Sequence, residues 1–142
     1  MADEWIPIEL YGPNGDGGKR RVTIADGVSV SVGALLQLLD PRTASGGHLP
    51  ANPVAGVAAE EHLPNKGVLS ISVYTDGLFD VKAENGITLG APVIAAAVNS
   101  NQVKELALSS FANFAASWAG VLGHALETGT NAEVINIRLG PL

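Results

Sequence analysis

The 142-residue sequence contains no cysteine, so no disulfide framework staples the chain and no thiolate or Cys-His pair serves as a nucleophile. Charge is scarce as well. Only 15% of the residues are Asp, Glu, Lys or Arg, against about a quarter in an average globular domain. The eight basic residues are outnumbered by 14 acidic ones, and the net charge of −6 disfavours nonspecific attraction to nucleic acid. Aromatic residues are few: two tryptophans, two tyrosines and three phenylalanines leave little material for a broad stacking platform. No apolar run reaches membrane-spanning length, which argues against a membrane partner. The opening MADEW is acidic where a secretory signal carries positive charge, so synthesis as a soluble cytosolic chain is expected.

What remains is apolar and small. A content of 46% hydrophobic residues in 142 positions suffices for one domain with a sizeable core, and a weakly charged surface favours extensive contact with other protein. The stretch from Pro53 to Val81 organises the chain. In Val68–Tyr74, Leu69, Ile71 and Val73 alternate with Ser70, Ser72 and Tyr74, the period of a half-buried strand. Thr75-Asp76-Gly77 signals a turn, and Leu78–Val81 reads as a returning strand, which predicts a β-meander.

The layout recurs near the C-terminus. Ala119-Gly120-Val121 answers Ala55-Gly56-Val57, Ala125-Leu126-Glu127 answers Ala59-Glu60-Glu61, and Ile135, Ile137 and Leu139 answer Leu69, Ile71 and Val73. This match requires two inserted residues between the Gly-Val pair and the Ala-x-Glu. Upstream, Val30–Leu38 (VSVGALLQL) pairs with Ile87–Ala95 (ITLGAPVIA). The expected fold is mainly β: a compact β-sandwich or barrel-like domain of two similar β modules, with at most one short helix. Residues 1–18 form an N-terminal strand or arm and turn, and residues 19–142 the β core.

In chain order, Glu4–Tyr11 alternates with Ile6, Ile8 and Leu10 on one face, and Pro7 restricts it to an edge strand or an extended arm. Gly12–Gly18 resembles a phosphate loop only superficially, because Lys19 is followed by Arg20 and the glycine spacing is wrong; it reads as a turn. Lys19, Arg20 and Arg21 then open a strand, giving either a solvated edge or a patch that meets acidic protein surface. Asp40-Pro41 ends GALLQLLD, and Ala83–Gly86 and Pro92 mark a hairpin-type turn and an edge or bulge. Beyond Val103, VKELAL alternates as a strand, and Phe111, Phe114 and Trp118 fall at helical spacing.

Chemistry-bearing patterns are sparse. His48, His62 and His124 show no metal-ligand spacing, and Glu60, Glu61 and His62 are adjacent, so on a strand they point to opposite faces. There is no G-x-S-x-G elbow. The expectation is a rigid binding module, not an enzyme, with no cofactor and no metal.

The ordered series IELYG, VTIADGVSVSVGALLQLLDPRTAS, AGVAAEEHLPNKGVLSISVYTDGLFDV, ITLGAPV and AGVLGHALETGTNAEVINIRL resembles the capsid decoration, or cement, proteins of tailed phages and related tailed viruses. The resemblance runs from Ile8 to Leu139, and SSFANFAASW fits it least. It implies a β domain, made in the host cytoplasm, that binds the outer surface of the assembled virion shell as a homotrimer. The implied partner is the major capsid protein, held against internal pressure, with no catalytic residue. Trp5, Ile6 and Ile8, followed by Phe111, Phe114 and Trp118, are the expected capsid or subunit contacts. A carbohydrate- or cell-surface-binding β module of a virion is the alternative, and it would need those last three aromatics exposed together.

Overall fold

The computed structural model describes residues 3–12, 14–46, 53–96, 101–106 and 120–140. Within them the strands are β1 (Ile6–Leu10), β2 (Arg20–Thr23), β3 (Leu35–Leu38), β4 (Ala44–Ser45), β5 (Val54–Ala58), β6 (Ser70–Tyr74), β7 (Gly77–Lys82), β8 (Pro92–Ala95), β9 (Val103–Glu105), β10 (Val121–Ala125) and β11 (Val134–Leu139). No α-helix occurs among the described residues. One sheet runs β1-β7-β11-β10-β8-β9 and the other β2-β6-β5-β3-β4, with antiparallel neighbours throughout.

Without β1, the two sheets are the same object twice. In each, five consecutive strands are ordered first, fifth, fourth, second, third. Each set curls until its outer strands touch at one parallel bridge, Thr23 to Thr43 in the first and Ala83 to Val103 in the second. The alternating strands turn their aliphatic faces inward. Val22, Leu36, Ile71 and Val73 fill the first barrel, and their equivalents Val81, Val93, Ile135 and Ile137 fill the second. Full burial of each such side chain contributes about 1.5–3 kcal/mol. Leu35 and Val57 face away from their own barrel and join the second core, which locks the two together.

The structure moves the expected gap in the repeat. The amide of Gly33 donates to the Ala58 carbonyl as Gly90 does to Ala125, and Ala58 donates to Ala34 as Ala125 does to Ala91. Glu60 accepts from the amide of Ser72, and Glu127 from that of Asn136, both at 2.8 Å. Val54–Glu60 therefore matches Val121–Glu127 residue for residue, with no insertion. The shared glycine has a steric cause. A Cβ would stand 2.4 Å from the Tyr74 carbonyl oxygen at Gly56 and 1.8 Å from that of Arg138 at Gly123. The length difference falls later, in the loop between Glu61 and Leu69.

The meander is corrected too. β5 and β6 are neighbours, but Thr75-Asp76 carries the chain from one sheet into the other, so β7 does not return along β6. The amides of Thr75 and Asp76 both donate to the Gly17 carbonyl, and both edges of β7 are taken by β1 and β11. The Ala83–Gly86 turn likewise fails to make a hairpin, since β7 and β8 are not paired. Leu69 is 58% exposed because β6 begins at Ser70, and only Ile71 and Val73 of the expected trio are buried.

Candidate interface surfaces

β1 is an edge strand of its own domain, paired with β7 through Ile6 opposite Asp80 and Pro7 opposite Phe79. Proline is tolerated there because one side of the strand has no partner to serve. Trp5 departs from the expected contact role. It is 2% exposed, its ring lies 5.6 Å from that of Phe79, and its Nε1 donates to the Asn101 carbonyl at 2.8 Å. Asn101 in turn accepts from the Leu35 amide through Oδ1 at 3.0 Å. A buried indole with a satisfied N–H anchors β1 to both barrels and presents nothing to a partner.

Ile6 and Ile8 behave differently, being 61% and 53% exposed. Ile6 borders a depression of about 250 Å³ lined also by Asp3, Glu4, Asp80, Lys82 and Val134. The Gln102 side-chain amide donates to Asp3 at 2.8 Å, and Lys82 lies 3.5 Å from the same carboxylate. The Gln102 hydrogen bond first, and Lys82 after it, hold the Asp3 carboxyl below its ordinary range. Phe111, Phe114, Trp118 and His48 lie outside the described residues.

The Glu60-Glu61-His62 run does not converge. Glu60 serves the Ser72 amide and pairs with Arg21 at 3.3 Å. His62 is 1% exposed, with Nδ1 2.5 Å from the Val28 carbonyl and Nε2 2.6 Å from the Val68 carbonyl. Two carbonyls accept only, so the imidazolium, which donates from both ring nitrogens, satisfies both, whereas a neutral tautomer satisfies one. These bonds, that to Val68 foremost, raise the imidazole pKa above its ordinary value; burial opposes the shift and the Asp26 charge adds to it.

Sequence reasoning found only that His62 lacks metal-ligand spacing, and the repeat held the signal it missed. His62 bridges to Val30 as Gly129 bridges to Ile87, where a Cβ would meet Ile135 at 2.5 Å. After Asp26-Gly27 the first barrel has two residues, Val28 and Ser29, that the second lacks after Asn85-Gly86. The ring fills the room that the longer segments open. Beside it the loop exposes Leu63, Val68 and Leu69. Val32 and Leu89, also exposed, occupy the same position of equivalent turns that place Gly33 and Gly90 at positive φ.

The basic strand is where the sequence put it. Lys19, Arg20 and Arg21 are exposed, Lys19 lies over the Tyr74 ring, and Arg21 also reaches Ser70 and Ser72. Among the described residues no three His, Asp or Glu side chains gather as a metal site, and no helix is long and apolar enough to cross a membrane.

The geometry defines a class of architecture: a tandem of small β barrels with an added edge strand. That fold is similar to the N base of the head fiber gp8.5 of bacteriophage phi29, with a TM-score of 0.51 and 15% identity, over 86% of this chain and 92% of that one. At such identity the likeness is one of fold. No family model and no curated protein matches the chain.

Proposed function

We propose that the chain is a structural virion protein that binds the outer surface of an assembled shell of major capsid protein and stabilises it, acting as a homotrimer and without catalysis. The observation that carries the reading is the shared fold with a phage head-fiber base along most of both chains. Three features of the chain agree with it. The tandem barrels are interlocked through Trp5, Leu35 and Val57, which gives a stiff body. The β1 edge offers Ile6 and Ile8 to a neighbour, in the manner of strand addition or flat apolar docking. The surface is weakly charged, and contacts of modest strength add steeply when several are engaged on a repeating lattice.

The test is co-sedimentation of the purified protein with emptied, mature capsids stripped of their decoration, counting bound copies per capsid subunit. Saturation at a fixed ratio with raised heat resistance of the shells is the expected result. Failure to bind either mature or unexpanded shells would sink the reading.

A further inference from the structure

The geometry points to the outer edge of β2 as a strand-docking site for an extended acidic segment of a partner protein. The duplication supplies the first observation. β2 and β7 are equivalent strands: Arg21 faces Ser72 and Val22 faces Ile71 as Asp80 faces Asn136 and Val81 faces Ile135. The outer edge of β7 is occupied by β1, with Ile6 opposite Asp80. Among the described residues no strand lies along the corresponding stretch of β2, which is the end of its sheet.

Hydrogen-bond direction supplies the second. The Thr23 amide donates to Arg42, on the side away from β6, while the Ile24 amide donates to Leu69, on the β6 side. Backbone groups along a strand alternate between its two edges. The N–H and C=O of Arg21, and those of Lys19 beyond it, therefore point outward into the position that β1 fills on the other barrel.

Charge chooses the occupant. Lys19, Arg20 and Arg21 line the open edge, and among the described residues Arg21 pairs with Glu60 there. The strand that fills the equivalent edge is flanked by Asp3, Glu4 and Glu9 around its isoleucines. An acidic, aliphatic strand is thus the chemistry that this scaffold accepts. A second copy's β1 is not the donor, because its Trp5 is buried in its own core and its backbone amide is held by Gly33. The site is short, since Thr23 is already bridged to Thr43, so it adds specificity and a weak contact. It stands apart from the capsid reading, and either can fail alone.

The experiment titrates a peptide with the sequence of residues 3–11 into the isotopically labelled full chain and follows backbone amides by NMR. The expected result is a shift and slowed hydrogen exchange at Lys19 and Arg21, with no response at β9. R21P removes an outward N–H and none of the backbone β2–β6 bonds, though it loses the side-chain bonds to Ser70 and Ser72, and is expected to abolish the response. R20E with R21E is expected to weaken it about tenfold or more, which keeps the test open should the proline variant fold poorly. Equal binding of a Gly-Ser peptide carrying the same acids, or unchanged binding by both variants, would overturn the site. So would a response confined to β1.

Discussion

Replacing His62 tests the buried imidazolium directly. In H62A the carbonyls of Val28 and Val68 both lose their donor at a part-buried site. A buried acceptor left without a partner costs about 1–3 kcal/mol, and these two are part-buried, so the low end applies to each and the pair sets an expected loss of about 2–3 kcal/mol. In a domain of this length that lowers Tm by on the order of 10 °C. The pH dependence follows from the raised pKa. The folded state binds the proton more tightly than the unfolded chain, whose imidazole titrates near about 6.5. The contribution is therefore complete below that value and is lost as pH climbs through the higher folded pKa. Urea denaturation of wild type and H62A across the range from mildly acidic to mildly alkaline pH reads this as a gap that narrows on the alkaline side. A companion variant imitates the second barrel: glycine at 62, Val28 and Ser29 removed, and the loop after it shortened to match the stretch after Gly129. It is expected to recover stability and to lose the pH dependence. The same pH slope in H62A and wild type, or a His62 ring titrating at or below about 6.5 by NMR, would refute the charged clamp.

Other substitutions separate packing from surface. G123A and G56A drive a Cβ into a carbonyl of the neighbouring strand, and each is expected to cost more than about 3 kcal/mol or to prevent folding, read by circular dichroism melts. At Gly15 nothing lies within 4 Å of an added Cβ and only the positive φ opposes it, so G15A is expected to cost about 1 kcal/mol. W5A is expected to lose about 3–5 kcal/mol and to raise amide exchange across β1, since it removes a buried indole and its bond to Asn101. I6D with I8D, at exposed positions, is expected to leave stability within about 0.5 kcal/mol while abolishing capsid co-sedimentation.

Strands were legible where alternation was clean, as in Ser70–Tyr74 and Val134–Leu139. Their sheet membership was not, because Thr75-Asp76-Gly77 encodes a local reversal and leaves open which strand lies beyond it. The duplication was visible in the sequence, yet the repeated alanines of AAE and ALE fit two registers. The backbone bonds of Ala58 and Ala125 and the hydrogen bonds to Glu60 and Glu127 choose between them. At the candidate surface, the alternation set Ile6, Ile8 and Leu10 on one face, but the bulge between Pro7 and Glu9 leaves Ile6 and Ile8 exposed and packs Leu10 against the core. Trp5 was not readable as buried, because its acceptor lies 96 residues away at Asn101. His62 was opaque for the same reason, since its partner Val28 sits on a segment 34 residues distant.

The pairing of β1 with β7 also dictates an order of events during synthesis. The first barrel has all its strands once Tyr74 has been made, whereas β1 must wait for Gly77–Lys82, and Trp5 for Asn101. At about 5–20 residues per second on the ribosome, the N-terminal strand waits roughly 4–15 s for β7, and the completed first barrel stands beside it for about the last second of that wait. β1 closes after the first barrel is complete, as a latch that joins the second barrel to the first.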